Sequence, residues 1–487
     1  MTTAGSGRAS ASHTAILGII LASYFMVLLD NSVIFTGLPS IRSGLELSPA
    51  ALSWVQDAYT LVFGGLLLLA ARAGDIVGRR RLFRIGLAIF GIASLLVGVA
   101  PAGWWMIASR AVQGIGAAIV APTSLALITT YFGGEARNRA IAWYAATAGI
   151  GASLGLLVGG ALTEWISWRA AFLVNVPIAV ALIAWSGVLV ETPRRTRQFD
   201  VIGALAATLG MGAVIFGIIE SADAGWGSVR VQAALVIGAV LLVALVVHEG
   251  RVQQPILPLR LFRSRERSGA YTARLLYLGA MVGFFYFTTQ LLQDGFGFSP
   301  LQAGLGFLPM TLVNFAVALA VPRLSARLSN GTLLATGTAL TLAGMAWLSR
   351  IGTLDAYLVD VALPMILVGA GQGLAFGPLT NAGVAGVDSA DAGAASGLVN
   401  TAHQLGMALG LGILVALSAN PGGTLDRPAA VTDHVGAALT GSAILLVLAL
   451  AVVLTVIVPA ARHRTAGPAT SSDKHTQHPM TDPKVEA

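Results

Sequence analysis

Three charged residues interrupt long apolar stretches of this sequence, where a charge is costly. They are Asp30, Asp57 and Arg110. Burial favours the neutral form of a carboxyl group, whereas a neighbouring guanidinium favours the charged form. A carboxyl group balanced between these effects can take up and release a proton near neutral pH. Charges kept inside apolar spans are functional by default, so these residue types indicate reversible proton binding.

The depths of these residues predict that they meet. Asp30 lies about seven residues before the end of its apolar run, and Asp57 and Arg110 lie about seven and six residues into theirs. At 1.5 Å per residue, all three lie roughly 9–11 Å below one membrane face. We predict one buried cluster in which Asp30 carries the proton, Arg110 tunes it and Asp57 assists. The alternative is a static Asp30–Arg110 ion pair that only fixes helix packing, with Asp57 in headgroup water.

The composition places these residues in a membrane protein. Of the 487 residues, 56% are hydrophobic and 10% are charged, and the mean hydropathy is +0.79, whereas a soluble chain carries about 25% charged residues. Cysteine is absent, which excludes disulfides and thiolate metal sites. We find no nucleotide-binding loop, metal-ligand cluster or nucleophile arrangement, which argues against an enzyme and against direct use of ATP.

Fourteen apolar runs are long enough to cross a bilayer, and they must position the charges. They lie at 14–37, 50–71, 82–101, 104–125, 140–162, 170–190, 201–222, 230–248, 270–292, 302–322, 332–350, 357–380, 392–418 and 435–459. An even number of spans puts both termini on one side. Of the 29 lysines and arginines, 22 fall in the tails and alternate loops of that side, five fall on the other side, and Arg110 and Arg274 lie within spans. This asymmetry predicts cytoplasmic termini, and it explains the net charge of +7 without nucleic acid.

The chain repeats two short patterns at similar separations. Gln113-Gly114 recurs 259 residues later as Gln372-Gly373, and Gly151-x-x-x-Gly155 recurs 255 residues later as Gly406-x-x-x-Gly410. Two related six-helix bundles with two inserted helices would produce this, and such parallel repeats are a known transporter plan. We therefore predict an all-α integral membrane fold. Its parts are an N-tail at 1–13, bundles at 14–190 and 270–459, a linker with the inserted helices at 191–269 and a disordered tail at 460–487.

Several of these stretches resemble motifs of the major facilitator superfamily, over nearly the whole chain. The 71–81 loop resembles the G-x-L-A-D-R-x-G-R-R signature, which would latch the inner gate. Its matching residues are Asp75, Gly78, Arg79 and Arg80. Arg110-x-x-Gln113-Gly114-x-Gly116 resembles the helix-4 motif, whose arginine is tied to proton coupling. Leu29-Asp30-x-x-Val33 resembles the helix-1 motif of the fourteen-helix drug/proton antiporters.

Helix 5 resembles the antiporter motif G-x-x-x-G-P-x-x-G-G with one departure. The matching residues are Gly151, Gly155, Gly159 and Gly160. Leu156 stands where the family has proline, so the bend that proline would introduce is not implied here. The glycine seam survives, but the direction of antiport is less fixed by the resemblance.

A substrate cavity between the bundles should be apolar and aromatic with a few polar points. The candidates are Tyr59, Gln113, Tyr144, Phe284, Phe285, Tyr286, Gln290, Asn314, Gln372, Asn400 and His403. Each aromatic residue has packing or a lipid-facing surface as its alternative. His403 lies near the middle of its span, where it either titrates or is a neutral, hydrogen-bonded core residue.

The resemblance implies a proton-coupled antiporter with alternating access that exports lipophilic, cationic drugs or toxic small molecules across the cytoplasmic membrane. Its partners would be that substrate, protons and the bilayer, as a monomer, with no cofactor beyond the proton gradient. We interpret His463, His475 and His478 as solvated tail residues and not as metal ligands. The alternatives are an exporter or importer of one endogenous metabolite, such as an antibiotic or siderophore, and a non-transporting membrane sensor.

Overall fold

The computed structural model describes residues 4–191, 200–252, 255–351, 356–388, 391–419 and 428–466, and each predicted span coincides with a helix. The fourteen helices are α1 (Ala4–Gly44), α2 (Pro49–Val77), α3 (Arg79–Gly98), α4 (Gly103–Tyr131), α5 (Gly134–Trp165), α6 (Trp168–Val188), α7 (Val201–Ala224), α8 (Val229–Glu249), α9 (Arg265–Gly295), α10 (Pro300–Ser325), α11 (Asn330–Leu348), α12 (Leu358–Gly383), α13 (Ala392–Ser418) and α14 (Ala430–Arg462). The predicted all-α membrane fold is confirmed.

Thirteen helices of the described residues are long and apolar enough to cross a membrane. The remaining predicted span, 140–162, falls within α5, whose uninterrupted apolar part in the described residues is the shorter Leu154–Trp165. Two boundaries differ from the sequence analysis. The predicted tail at 1–13 is helical from Ala4, because no proline ends the helix there. The predicted 71–81 loop is also helical, and its one break is at Gly78, whose φ of +101° suits glycine.

Two helices are interrupted shortly before a proline, which removes a backbone donor. α6 is interrupted at Val174, three residues before Pro177, and α10 is interrupted at Phe307, just before Pro309. A proline cannot complete the hydrogen bond to the carbonyl four residues earlier, so the ladder opens at that turn. In α6 the break lies beside Asn175, which contributes to the site described below.

The repeated glycines make equivalent close contacts in the two halves, α1–α6 and α9–α14. A Cβ on Gly114 of α4 would lie 2.6 Å from the Tyr59 carbonyl of α2, and one on Gly373 of α12 would lie 2.8 Å from the Asn314 carbonyl of α10. The glycines of the repeated Gly-x-x-x-Gly pattern also permit close packing. Gly155 packs α5 against α1, and Gly410 packs α13 against α9. Small residues permit such close helix approach within a membrane.

Gly410 is the tightest of these crossings and gives a stability prediction. A Cβ there would lie 2.2 Å from the Cα of Gly279, so Gly410→Val should destabilise the protein by about 1–3 kcal/mol, as overpacked cores are. Gly377→Val is the matched control, because nothing lies within 4 Å of its Cβ position. Thermal unfolding in detergent measures both variants, and equal melting temperatures would contradict the packing.

The halves contact along α2 and α13, and the inserted helix α7 covers that seam. Gly64 of α2 faces the side chain of Gln404, and Gly397 of α13 faces Leu68. Thr208 of α7 packs on α2, and α8 packs in turn on α7. We call the end of the bundle near the chain termini the terminal face and the other end the opposite face.

Candidate functional site

Arg110 and Asp30 form a fully buried ion pair between α4 and α1. The Arg110 Nη1 atom lies 2.7 Å from Asp30 Oδ2, and neither side chain is exposed. Gly114, one turn after Arg110, lets α4 approach α2 closely enough to enclose the pair. The structure thus brings together the two residues whose depths matched in the sequence.

The second oxygen of Asp30 accepts two more hydrogen bonds. Gln113 Nε2 donates to Asp30 Oδ1 over 2.8 Å, and Asn175 Nδ2 donates to the same oxygen over 2.7 Å. Gln113 is held from both sides, because its Nε2 also donates to the Ser94 hydroxyl and its Oε1 accepts from Arg110 Nη1. Residues of α1, α4 and α6 therefore meet at one carboxylate, and Ser94 of α3 holds one of its partners.

The Arg110 guanidinium also contacts α2. Its Nε donates to the Val55 carbonyl over 3.0 Å, and its Cζ lies 4.2 Å from the centre of the Tyr59 ring. The aromatic face attracts the cation and shields it from hydrocarbon. Within the described residues, Arg110 Nη2, the Tyr59 hydroxyl and Asn175 Oδ1 have no hydrogen-bond partner. The network therefore keeps spare donors and acceptors beside the carboxylate.

This arrangement can hold Asp30 in either of two charge states. The guanidinium and the two amide donors stabilise the carboxylate, while complete burial stabilises the neutral acid. A proton arriving on Asp30 would remove the charge that holds Arg110 and release α4 from α1. A charge change at one atom can therefore alter the packing of several helices.

Asp57 is fully buried but lies outside this network. Val55 and Tyr59 face Arg110, so Asp57, midway between them on α2, points to the other side of the helix. Neither of its carboxylate oxygens has a partner within the described residues. The structure therefore separates Asp57 from the predicted three-residue cluster.

The predicted latch residues lie at the α2–α3 junction. The carboxylate of Glu191 accepts hydrogen bonds from the backbone amides of Arg80 and Arg81, over 3.1 and 3.0 Å, and occupies the place of a Gly78 Cβ. Arg79 donates to the Ala126 carbonyl of α4 over 2.9 Å. The Asp75 side chain lies outside the described residues. These contacts tie α3 to α4 and to the chain after α6.

The helix-5 glycines form a seam with two neighbours. A Cβ on Gly151, Gly155 or Gly159 would lie 2.5–3.0 Å from atoms of α1. Gly160 turns to α10 of the other half, where its Cβ would lie 2.5 Å from the Pro300 carbonyl. The Leu156 carbonyl lies against Gly304 of α10. The seam therefore joins the halves at the opposite face.

Polar contacts reinforce this closure of the opposite face. Arg42 Nη2 of α1 lies 3.0 Å from Asp294 Oδ2 of α9, and Gln293 Nε2 donates to the Thr36 carbonyl over 2.9 Å. Glu164 of α5 accepts from the Ser299 hydroxyl and from the Leu301 amide. Gln293 and Asp294 lie in a π-helical turn of α9, a feature frequent at functional sites.

The aromatic candidates divide between the bundle core and the seam. Tyr144 of α5 stacks on Tyr24 of α1, with ring centres 3.9 Å apart. Phe285 stacks on Phe35 of the other half, whereas Phe284 is buried against Phe307 within its own half. Successive helical residues point about 100° apart, so only Phe285 faces the partner bundle. Phe284 is thus a core residue and not a seam residue.

The remaining cavity candidates do not form one cluster. Tyr286 and Gln290 are buried on α9, where Gln290 Nε2 donates to the Tyr286 carbonyl. Asn314 and Gln372 are partly buried, and Asn400 is exposed and donates to the Ser396 carbonyl. His403 contacts Arg274, whose Nη2 lies 3.2 Å from His403 Nδ1.

Sequence reasoning missed several residues that the fold brings to these sites. Asn175 lies on α6, and its partner Asp30 is 145 residues away in the sequence. Glu191 and Glu164 accept hydrogen bonds from helices that are distant from them in the sequence. Arg274 was visible only as a charge within a span.

In the described residues no three His, Cys, Asp or Glu side chains could together hold a metal ion. His475 and His478 lie outside the described residues, as does the side chain of His463.

Comparison with known proteins gives the family. Residues 20–411 match the family described as the Major Facilitator Superfamily. The chain is 39% identical over 468 residues to the cephamycin export protein CmcT of Amycolatopsis lactamdurans, covering 94% of this chain and 96% of that one. It is 39% identical over 409 residues to the puromycin resistance protein pur8 of Streptomyces alboniger, covering 82% and 81%.

A solved structure of a POT family transporter in complex with 5-aminolevulinic acid has the same fold. The TM-score is 0.66, with 92% of this chain and 96% of that one covered at 14% identity. That likeness concerns the fold alone, whereas the family match extends over most of the sequence. The predicted family is confirmed, and its members are transporters and not enzymes. This chain belongs to the Major Facilitator Superfamily.

Proposed function

We propose that this chain is a proton-coupled antiporter that exports lipophilic drugs or antibiotics across the cytoplasmic membrane. The enclosed Asp30–Arg110 pair carries the proposal, because a buried carboxylate held by one guanidinium and two amides is suited to reversible protonation. The names of the relatives, an antibiotic export protein and an antibiotic resistance protein, support the direction and class of transport.

Alternating access would couple this proton to substrate movement. The contacts of Arg42, Glu164 and Gly160 close the opposite face in this conformation. A proton on Asp30 would free Arg110 and shift the packing of α1 and α4, the first of which also carries Arg42. Because proton and substrate would favour different conformations, each displaces the other through population shift.

Asp57 would assist as a second proton site. A buried carboxylate charge without hydrogen bonds is very costly, so a carboxyl group in that position is held neutral by a proton. The proposal therefore treats Asp30 as charged, because it is paired with Arg110, and Asp57 as neutral. The proton on Asp57 would be lost when a conformational change exposes this buried position to water.

The orientation follows from the basic residues. In the sequence, 22 of the 29 lysines and arginines fall in the tails and in the loops predicted on the same side as the termini, and such an excess marks the cytoplasmic side of a membrane. The proposal therefore places the termini in the cytoplasm and the Arg42–Asp294 contact at the outer side. The protein would act as a monomer with the proton gradient as its energy source.

A pH-jump experiment tests this function. Proteoliposomes loaded with ethidium, a lipophilic cation, are diluted to create a proton gradient, and dye movement is followed by fluorescence. The proposal predicts transport in the direction opposite to proton flow, abolished by a protonophore. Transport that is unaffected by the protonophore would contradict proton coupling.

A dedicated exporter of one antibiotic is the second candidate, and the near full-length similarity to the cephamycin export protein favours it. A panel of chemically unrelated substrates separates the two functions. A multidrug exporter transports several of them when driven by the same proton gradient, whereas a dedicated exporter transports one class only.

The contacts that close the opposite face give a prediction on conformation. Arg42→Ala removes a partly exposed pair worth at most about 1 kcal/mol, so it should favour outward opening by up to about 5-fold. The chain has no cysteine, and a thiol introduced as Thr36→Cys, at a fully buried position, reacts with an impermeant reagent only when this face opens. Labelling should accelerate in Arg42→Ala.

Two variants control this experiment. Arg139→Ala removes an exposed pair of the terminal face, with Glu135 at 3.3 Å, and should leave labelling unchanged. The exchange Arg42→Asp with Asp294→Arg restores an opposite-charge pair and should restore slow labelling. Equal labelling rates in Arg42→Ala and the parent would refute the role of this contact.

A further inference from the structure

Arg274 is the second guanidinium within the predicted apolar spans, and its surroundings differ from those of Arg110. It is 3% exposed on α9, and within the described residues it forms no ion pair. At 1.5 Å per residue it lies roughly 14 Å from the α9 terminus at the terminal face. A charge at such depth is costly and normally faces a partner or a pathway. The missing negative charge therefore needs an explanation.

All of its protein contacts are neutral. Nη1 donates to the Thr380 hydroxyl of α12 over 2.8 Å, and Nη2 contacts His403 Nδ1 of α13 over 3.2 Å. The Cζ atom lies 4.4 Å from the centre of the Phe376 ring. The Nε atom is buried with no partner among the described residues. Three side chains thus orient the guanidinium, and its Nε atom remains available to a ligand.

The contact with Arg274 determines which nitrogen of the His403 ring carries the hydrogen. A guanidinium only donates hydrogen bonds, so the ring nitrogen facing it must accept. His403 Nδ1 therefore carries no hydrogen, and the neutral ring carries its hydrogen on Nε2. A protonated His403 would place a second positive charge against the first. His403 is then a neutral partner that holds the guanidinium, which answers the question left open by its position in the sequence.

The surroundings of this cation are aromatic and polar. The groups in contact with it are Phe376 and Thr380 of α12 and His403 of α13. The Phe376 and His403 rings pack edge to face, with centroids 5.8 Å apart. Aromatic rings beside one oriented cation suit a lipophilic molecule that carries a carboxylate.

We propose that Arg274, positioned by His403 and Thr380, is the site at which this transporter binds the carboxylate of its substrate. The inference rests on the proposed transport function and names its substrate class: lipophilic organic acids, alone or as one end of an amphoteric molecule. A bound carboxylate would supply the charge that the described residues do not, and could also engage Nε. This extends the expected substrates beyond cations.

The test compares a carboxylic acid with its neutral ester. Binding of pyrenebutyric acid and of its methyl ester to the purified full-length protein is followed by pyrene fluorescence. A hydrogen-bonded charge pair should favour the acid about 10-fold or more over the ester in the unaltered protein. Arg274→Gln should remove this preference by weakening acid binding only, and Arg274→Lys should keep part of it.

The controls separate a binding role from a structural role. Arg323→Gln makes the same charge change at an exposed position of α10 and should leave the preference intact. If Arg274→Gln fails to fold, Thr380→Val tests the site by removing one positioning contact, and the preference should fall. Equal loss for acid and ester, or equal binding of both to the unaltered protein, would overturn the proposal. Displacement by phosphatidylglycerol but not by pyrenebutyric acid would overturn it too.

Failure of this subsite is distinguishable from failure of the transport function. The binding measurement needs no gradient, whereas the pH-jump efflux needs no carboxylate. Gradient-driven ethidium efflux with no acid preference would reject the subsite alone. An acid preference without any gradient-driven efflux would reject the transport mechanism alone.

Discussion

Asp30→Asn is expected to reduce uphill efflux by at least about 30-fold, because losing one partner of a buried charge pair costs about 2 kcal/mol or more. Asparagine has the shape of the protonated acid but cannot release a proton, so the carrier can bind substrate yet cannot be driven by the gradient. The measurement is ethidium efflux from proteoliposomes with and without an imposed pH gradient.

The fold should survive this change. Arg110 would keep its contacts with Gln113, Val55 and the Tyr59 ring. Arg274 shows that this chain accommodates a buried guanidinium with neutral partners alone. An Asp30→Asn protein that melts like the parent and still concentrates substrate against a gradient would remove Asp30 from the mechanism.

Arg110→Lys is expected to reduce gradient-driven efflux by about 10- to 100-fold, because a lost hydrogen bond to a charged group costs about 1.5–3 kcal/mol. The guanidinium reaches Asp30 and Gln113 through Nη1 and the Val55 carbonyl through Nε, in one plane. An ammonium keeps the charge but cannot reproduce this planar set of donors. The same efflux assay measures the loss.

Arg42→Lys is the matched control for this substitution. Arg42 contacts Asp294 through a single nitrogen, and the pair is partly exposed. A lysine can make one such contact, so efflux should stay within about 2-fold of the parent, as expected for an exposed pair. Similar activity in Arg110→Lys and Arg42→Lys would mean that charge alone matters at residue 110.

The membrane spans could be predicted from the length of the apolar runs. The Asp30–Arg110 pair could be predicted from the matching depths of the two residues. An apolar run of about 20 residues has few alternatives to a membrane helix, and matched depths on separate spans identified Asp30 and Arg110. The rotation of each helix about its axis was not predictable in the same way. Asp57 has the right depth but turns away from Arg110, and Phe285, not Phe284, faces the other half.

Contacts between residues from distant parts of the chain could also not be predicted from the sequence. Asn175 of α6 completes the hydrogen bonds to Asp30, although the two residues are 145 positions apart in the sequence. Arg274 and His403 are 129 residues apart, on helices whose contact depends on the close crossing at Gly410. A sequence pattern specifies helix lengths and small residues, but tertiary packing decides which polar groups meet.

Proton release on substrate binding tests the central claim most directly. Purified protein in weakly buffered detergent is mixed with ethidium, and a pH indicator dye reports released protons. The account predicts release from the parent protein, rising with substrate occupancy, and none from Asp30→Asn at the same occupancy. Equal release from the two proteins would contradict the claim that Asp30 carries the exchanged proton.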